Sequence, residues 1–161
     1  LPNAGKSSLL AALTNANPKI ANYQFTTLNP NLGVASYDDK EITIADIPGL
    51  VEGAHKGTGL GIQFLKHIER CKSLLHMIDI TDKDIKKSYN QVKKELKNYS
   101  SKLSKKKELI VLNKTDLVNK NEVKKIVSYL SKNSKTEIIA MSTLDKKSIT
   151  KIKSKLITYA T

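Results

Sequence analysis

The chain begins with residue types whose order and spacing suit the binding of a phosphate group. They are Leu1, Pro2, Asn3, Ala4, Gly5, Lys6, Ser7 and Ser8, which match the pattern G-x-x-x-x-G-K-[ST] except for its first glycine, expected just before Leu1. In such a loop, successive backbone N–H groups form a concave anion site at the positive N-terminal end of a helix. We expect Lys6 to reach the β- and γ-phosphates of a nucleotide and the Ser7 hydroxyl to ligate Mg²⁺. The alternative, on these residues alone, is a turn before a basic helix.

A second segment can act on the far end of the same phosphate chain. It consists of Asp46, Ile47, Pro48 and Gly49, which follow a predicted strand. We expect Asp46 to hold a water molecule on Mg²⁺ and the Gly49 N–H to bond the γ-phosphate. Thr27, in an earlier polar loop, is a candidate for the second protein ligand of Mg²⁺. Our candidate catalytic residues are therefore Lys6, Thr27 and Gly49.

The residues best suited to recognising a base follow another predicted strand. They are Asn113, Lys114, Thr115 and Asp116. The Asp116 carboxylate can accept two parallel hydrogen bonds from the N1–H and the 2-amino group of guanine, which adenine does not offer in the same form. Asn113 can brace the neighbouring loops, and the Lys114 stem can cover the plane of the base. After the last predicted strand, a backbone N–H can lie near guanine O6 within the segment Ser142, Thr143 and Leu144.

The composition excludes several classes of protein. The 161 residues suffice for one domain with a buried core, and no apolar run is long enough to span a bilayer. The single cysteine, Cys71, excludes a disulfide framework and suits a reducing cytoplasm. Separately, we expect the protein to be a monomer. We interpret Cys71 as a packing residue of a helix.

The formal net charge of +13 arises in the second half of the chain. Residues 1–80 carry seven basic and seven acidic side chains, whereas residues 81–161 carry twenty-one lysines and eight acidic side chains. A basic half can attract a polyanion such as RNA. Alternatively, an AT-rich genome places lysine on every solvated helix face, and the scarcity of arginine fits that interpretation. Both alternatives stay open at this point.

Apolar periodicity predicts alternating helices and strands. The predicted helices span residues 6–15, 61–71, 85–103, 123–130 and 149–156, and the predicted strands span 32–37, 41–45, 73–80, 109–112 and 137–141. Residues 17–30 are predicted to form a loop because they hold two prolines and no apolar period. This order is typical of an α/β fold with a doubly wound, mostly parallel sheet and helices on both faces. Ligands of such sheets bind at the carboxyl ends of the strands.

The strand that normally precedes a phosphate-binding loop, in the middle of the sheet, is missing from residues 1–161. We therefore expect a single domain truncated at its N-terminus. It should have an open slot in the sheet and unpaired backbone groups on the two strands beside the slot. We also expect this chain, expressed as it stands, to be poorly stable.

The four segments, residues 1–8, 46–49, 113–116 and 142–144, occur in the order typical of P-loop NTPases that bind GTP. The amino-acid sequence of this chain resembles one family of these proteins, the Obg GTPases. The segments that carry this likeness are LPNAGKSS (residues 1–8), PKIA (18–21), YQFTTLNPNLG (23–33), ADIPGLVEGA (45–54) and GLGIQFLKHIER (59–70). The likeness is dense over residues 1–80 and rests on the base-recognition segments beyond them.

The resemblance implies an Obg-type G domain that hydrolyses GTP to GDP and phosphate as a molecular switch in assembly of the large ribosomal subunit. The subunit and its RNA would be partners, and Ser7 and Thr27 would bind Mg²⁺. The first switch would consist of Phe25, Thr26, Thr27, Leu28 and Asn29. Leu50 stands where many GTPases have a glutamine that orients the attacking water, so we expect slow intrinsic hydrolysis. Some related GTPases suggest that Asn3 admits K⁺ beside the phosphates.

Two other functions stay open. The chain can be an RNA-binding ribosome assembly factor whose basic half acts while nucleotide turnover is incidental. It can also be an ATPase of a sister family, although Asp116 argues against adenine.

Overall fold

The computed structural model describes residues 4–14, 19–20, 31–46, 69, 71–134 and 136–160 and confirms the predicted α/β fold. Its strands are β1 (Lys19–Ile20), β2 (Asn31–Tyr37), β3 (Lys40–Ala45), β4 (Ser73–Asp79), β5 (Lys107–Asn113) and β6 (Glu137–Ala140). Its α-helices are α1 (Lys6–Leu13), α2 (Ile85–Tyr99), α3 (Ser101–Ser104), α4 (Lys120–Ser134) and α5 (Lys146–Ala160). A 3-10 turn spans Thr115–Leu117. In the part of the chain described here, no helix is both long enough and apolar enough to cross a membrane.

The central part of the fold is a parallel sheet of β4, β5 and β6, in that order, with helices on both faces. Alternate residues of β5 serve the two faces, as the period of two in a strand requires. Leu109 and Val111 belong to a buried cluster with side chains of α1 and α5. Ile110 and Leu112 belong to a second cluster, which includes Tyr89 of α2 and Leu130 of α4. The near-continuous apolar run of β5 is therefore explained by burial on both sides.

The first three strands form a separate antiparallel sheet in the order β1-β2-β3. A two-residue turn at Asp38 and Asp39 joins β2 to β3, and both residues have positive φ angles of 52° and 56°. That geometry matches a type I′ turn, which fits the twist of the flanking strands. β1 contradicts the prediction of a continuous loop over residues 17–30, because Lys19 and Ile20 pair with Leu32 and Asn31.

An open slot separates the two sheets. Among the described strands, β3 pairs with β2 and β4 pairs with β5, but β3 and β4 do not pair with each other. A cavity of about 390 Å³ lies between their facing edges, and apolar side chains of α1 and α5 also line it, including Leu9, Leu13 and Leu156. The slot matches the one expected for a sheet without its central strand.

One other predicted helix needs correction, and so does the end of another. The helix predicted over residues 85–103 is interrupted at Ser100, whose φ of −155° and ψ of 127° are extended. The helix predicted over residues 61–71 lies outside the described residues except at Glu69 and Cys71, and neither is helical. Cys71 instead precedes β4, and burial raises the pKa of its thiol. A raised thiol pKa agrees with packing rather than with nucleophilic chemistry.

Candidate functional site

A glycine in a left-handed conformation stands directly before α1. Gly5 is the N-cap of α1 and adopts a left-handed conformation with φ 86° and ψ 25°. Its carbonyl oxygen accepts a hydrogen bond from the Leu9 N–H at 2.8 Å, which starts the helix directly at this turn. A Cβ atom at position 5 would lie 2.4 Å from Asn113 Nδ2. Both the φ angle and the close approach therefore require glycine.

Asn113 connects this loop to a second loop on the same edge of the sheet. It is the last residue of β5 and is 1% exposed. Its Nδ2 donates to the Ala4 carbonyl oxygen at 3.0 Å, and its Oδ1 accepts from the Thr143 N–H at 3.2 Å. One buried side chain therefore fixes the loop before α1 and the loop after β6 relative to β5.

Ser7 and Asp46 provide an oxygen-rich pair beside α1. The Ser7 hydroxyl donates to Asp46 Oδ2 at 3.2 Å, and Asp46 directly follows β3. The other carboxylate oxygen, Oδ1, is buried and has no hydrogen-bond partner among the described residues. A buried carboxylate oxygen that lacks a donor is costly, whereas a hard divalent cation prefers carboxylate and hydroxyl oxygens as ligands. These two side chains therefore fit Mg²⁺, held directly or through water.

A tight turn after β5 carries Asp116. Lys114 has a positive φ of 66°, and its carbonyl oxygen accepts from the Leu117 N–H at 3.0 Å. The Thr115 N–H donates to the Met141 carbonyl oxygen at 3.2 Å, which ties the turn to the end of β6. The Asp116 side chain is exposed. A carboxylate on a fixed turn and open to solvent can accept hydrogen bonds from a ligand.

Two backbone N–H groups of the segment after β6 already have acceptors. The Thr143 N–H donates to Asn113 Oδ1, and the Leu144 N–H donates to Ser142 Oγ at 3.1 Å. A contact from either N–H to guanine O6, as the sequence suggests, therefore requires that N–H to share or give up its present acceptor. The side chain of Leu144 is 84% exposed.

Several predicted site residues lie outside the described residues, so their positions are not part of this geometry. They are Leu1, Pro2, Asn3, Phe25, Thr26, Thr27, Leu28, Asn29, Ile47, Pro48, Gly49 and Leu50. Lys6 is half-buried at the start of α1, and Ser8 is exposed. The described part of the site thus contains Ala4–Ser8, Asp46, Asn113–Asp116 and Ser142–Leu144.

Asp79 belongs to the same edge of the sheet but is not among the residues that the sequence analysis identifies. It ends β4 beside Asn113, its partner in the parallel register. Its Oδ2 lies 2.5 Å from Lys114 Nζ. The sequence gives only a weak indication of a role for Asp79, namely an aspartate at the end of a predicted apolar strand.

The comparisons with known proteins identify the family. A family described as "50S ribosome-binding GTPase" matches residues 1–114, which is more than half of the chain. This chain belongs to that GTPase family. The membership agrees with the glycine turn before α1 and with the position of Asp116 after β5.

The curated relatives of this family member confirm the resemblance to the Obg family. A "GTPase Obg" of Pelagibacter ubique is 70% identical over 159 residues, covering 99% of this chain and 49% of the relative. A "GTPase Obg" of Rickettsia felis is 51% identical over 152 residues, covering 94% of this chain and 46% of the relative. The chain thus spans about half the length of these relatives.

Solved structures show the same fold at low sequence identity. The G domain of the T. maritima FeoB iron transporter has a TM-score of 0.72 at 22% identity, over 99% of this chain and 94% of that chain. A nucleolar GTP-binding protein 1 from Plasmodium falciparum has a TM-score of 0.64 at 22% identity, over 98% and 82%. These similarities support the α/β fold of a G domain and nothing more specific.

Proposed function

We propose that this chain is the G domain of an Obg-type GTPase, which binds GTP and hydrolyses it to GDP and phosphate. The observation that carries the proposal is the pair of hydrogen bonds from Asn113 to Ala4 and Thr143. A phosphate-binding loop and a base-recognition loop must be held at a fixed separation to bind one nucleotide. A buried amide that bonds both loops supplies that constraint.

In the proposed site, each segment binds a different part of the nucleotide. The amides around Gly5 and the Lys6 ammonium hold the phosphates, and Asp116 recognises guanine. Ser7 and Thr27 ligate Mg²⁺, with Asp46 acting through water. The ion, when bound, neutralises charge that develops on the phosphate oxygens. Gly49 contributes its N–H to the γ-phosphate.

The K⁺ ion suggested by Asn3 is a separate proposal about residues outside the described ranges. A rate of hydrolysis that is the same in Na⁺ and K⁺ buffers would remove it. For the intrinsic reaction we propose a slow rate, because Leu50 has no polar group with which to orient water.

The biological role in this proposal is a switch that acts on the large ribosomal subunit in the cytoplasm, with the protein as a monomer. The γ-phosphate would order residues 23–33 and 46–61 and thereby change the affinity for the subunit. The support is the family description and the Obg relatives. GTP turnover by the full-length protein, measured with and without large subunits, tests this role.

The decisive test of the nucleotide assignment uses Asp116→Asn in the full-length protein. An amide keeps the acceptor for N1–H but offers a donor where guanine has its 2-amino group. Loss of the hydrogen bond from the 2-amino group, together with loss of the negative charge on the acceptor, about 3 kcal/mol, should weaken GDP binding on the order of a hundredfold. The variant should instead accept xanthosine diphosphate, whose 2-oxo group matches the amide. Asp39→Asn, on the exposed β2–β3 turn, is the matched control.

A second candidate function is RNA binding through the basic half, because many lysines of α2, α4 and α5 are exposed. They include Lys86, Lys87, Lys94, Lys97, Lys120, Lys124, Lys125, Lys132, Lys146, Lys147 and Lys151. Ribosome association that no longer depends on GTP in a Lys114→Ala, Asp116→Ala variant supports the switch. Association that does not depend on GTP in the unaltered protein supports the RNA-binding factor.

The alternative of a sister-family ATPase is tested by competition of ATP against labelled GTP for binding. Effective competition by ATP supports it, and the absence of competition excludes it.

A further inference from the structure

The ammonium of Lys114 has a built-in anchor outside the four segments of the site. Its Nζ lies 2.5 Å from Asp79 Oδ2, and the two side chains are 32% and 20% exposed. Asp79 ends β4, and Lys114 follows the end of β5, so the pair spans two neighbouring strands. The Ile80 N–H also donates to the Asn113 carbonyl oxygen at 3.0 Å, which extends the connection past the strand ends.

The Asp79 carboxylate is itself held in place before any ligand arrives. Its Oδ1 accepts from the Thr81 N–H at 2.9 Å and from the Thr81 hydroxyl at 2.7 Å. These bonds leave Oδ2 to face Lys114. Burial alone raises the pKa of Asp79, but the hydrogen bonds from Lys114 and Thr81 outweigh it and hold the pKa below its ordinary value. The carboxylate is therefore charged at neutral pH.

We propose that Asp79 is a positioning residue for nucleotide binding, which holds the Lys114 side chain extended so that its aliphatic stem forms a fixed wall for the base. The proposal rests on the guanine-nucleotide function given above. A free lysine side chain samples many rotamers, and ordering such a chain on binding weakens affinity by about threefold to tenfold. The Asp79 contact orders it in the free protein, together with the left-handed turn at Lys114.

A purely structural ion pair would behave differently. A partly exposed pair with a purely structural role contributes little to stability, and its loss leaves ligand affinity unchanged. A positioning role predicts lost affinity that depends on Lys114 being present. A double-mutant cycle measures that dependence directly.

The cycle uses Asp79→Asn, Lys114→Met and the double variant in the full-length protein, with binding of a fluorescent GDP analogue as the measurement. Asp79→Asn keeps the shape of the side chain and an acceptor for Thr81, but it removes the charge that holds the ammonium. We expect Asp79→Asn alone to weaken GDP binding about threefold to tenfold. In the Lys114→Met background it should change binding less than about twofold.

Two further variants keep the result interpretable. Asp82→Asn alters a nearby carboxylate that bonds Ser88 and Asp84 rather than Lys114, and it should leave GDP binding unchanged. If Asp79→Asn fails to fold, Thr81→Val removes one donor to Asp79 and should give a smaller loss that also needs Lys114. The role of Asp79 is overturned if Asp79→Asn weakens GDP binding equally in the presence of Lys114 and in the Lys114→Met variant. It is also overturned if Asp79→Asn does not weaken GDP binding when Lys114 is present. If the unaltered protein binds no guanine nucleotide, the proposed function itself fails and this role fails with it.

Discussion

The side-chain amide of Asn113 donates to the backbone carbonyl of Ala4 across 109 positions of the chain. Both residues are almost completely buried, at 1% exposure each. A hydrogen bond in such a setting is expensive to leave unmade, because a buried polar group without a partner keeps its full desolvation cost. The bond therefore restricts how far the loop before α1 can move from the end of β5.

Removing this amide should reduce nucleotide affinity more than surface substitutions do. Asn113→Ala leaves the Ala4 carbonyl oxygen and the Thr143 N–H without their shared partner. We expect a loss of about 2–4 kcal/mol in the free energy of unfolding and at least tenfold weaker GDP binding, measured by urea denaturation and titration calorimetry. Asn133→Ala is the control, since among the described residues the exposed Asn133 of α4 donates to the Tyr129 carbonyl within the same helix. Unchanged GDP affinity in Asn113→Ala would contradict the bracing role.

Local sequence patterns predict most of the elements because burial in this fold is regular. The β5 residues were predictable as a strand, since burial on both faces demands a continuous apolar run. The Asp38–Asp39 turn was predictable because aspartate tolerates positive φ angles. The residues of the Asn113–Asp116 segment were predictable from the chemistry of guanine.

The features that local patterns missed depend on distant partners. Ser100 interrupts the predicted helix although Leu96 and Leu103 keep a helical spacing on either side of it. Its hydroxyl donates to Glu69 Oε1 at 2.5 Å, and Glu69 lies 31 positions away. The role of Asp79 likewise depends on a lysine from the next strand. The hydrophobic periodicity of a single segment predicts neither the Ser100–Glu69 contact nor the Asp79–Lys114 contact.

Two glycines give a matched test of site geometry against fold stability. A Cβ at Gly5 would lie 2.4 Å from Asn113 Nδ2, and a Cβ at Gly33 would lie 2.2 Å from Thr14 Cγ2. Gly5→Ala also meets a left-handed backbone, which costs about 1–2 kcal/mol on its own. We expect both alanine variants to lower the midpoint of thermal unfolding, but only Gly5→Ala to weaken GDP binding more than tenfold in the folded fraction. Equal GDP affinities for the two variants would contradict this assignment.

The unsatisfied oxygen of Asp46 predicts a specific dependence on Mg²⁺. Asp46→Asn keeps the shape of the side chain but removes the charge that faces the cation. We expect the Mg²⁺ concentration for half-maximal GTP hydrolysis to rise by about 10–100-fold. Glu41→Gln, an exposed carboxylate of β3 bonded to Ser36, should leave that concentration unchanged. The same Mg²⁺ requirement in Asp46→Asn and the unaltered protein would exclude Asp46 from the metal site.

Stability should fall in acid because of Glu108. Its Oε1 lies 2.9 Å from His76 Nδ1, its Oε2 accepts from Lys93 Nζ at 2.9 Å, and the His76 ring stacks on Tyr89. Burial opposes the charged form, but the bonds to His76 and Lys93 outweigh it and lower the pKa of Glu108 below its usual 4.5. A lowered pKa in the folded state means that Glu108 stabilises the fold above the unfolded pKa. This contribution is lost as the pH falls through the folded value.

Glu108→Gln tests that contribution. We expect the variant to lose about 1–3 kcal/mol of unfolding free energy at pH 7, because Lys93 keeps a neutral partner in place of a charged one. The difference from the unaltered protein should shrink as the pH falls from the unfolded pKa of 4.5 through the lower folded pKa, because Glu108 then takes up a proton first in the unfolded and finally in the folded chain. Glu137→Gln is the control, since its pair with Lys155 is exposed and should contribute less than about 1 kcal/mol. A difference that is constant from pH 3 to 7 would contradict the assignment.

The slot between β3 and β4 predicts that residues 1–161 alone unfold at low temperature and with weak cooperativity. Among the described strands, none pairs with either facing edge, and a cavity of about 390 Å³ lies between them. A six-residue segment rich in valine and isoleucine, joined before Leu1, should pair with both edges and cover Leu9, Leu13 and Leu156. A gain of about 3 kcal/mol would raise the unfolding midpoint by about 6–12 °C, measured by calorimetry. The control segment has the same length but carries proline at two inner positions, where the missing N–H groups prevent pairing, and it should give no increase. A cooperative transition of normal size in the unextended chain would show that the slot costs the fold little.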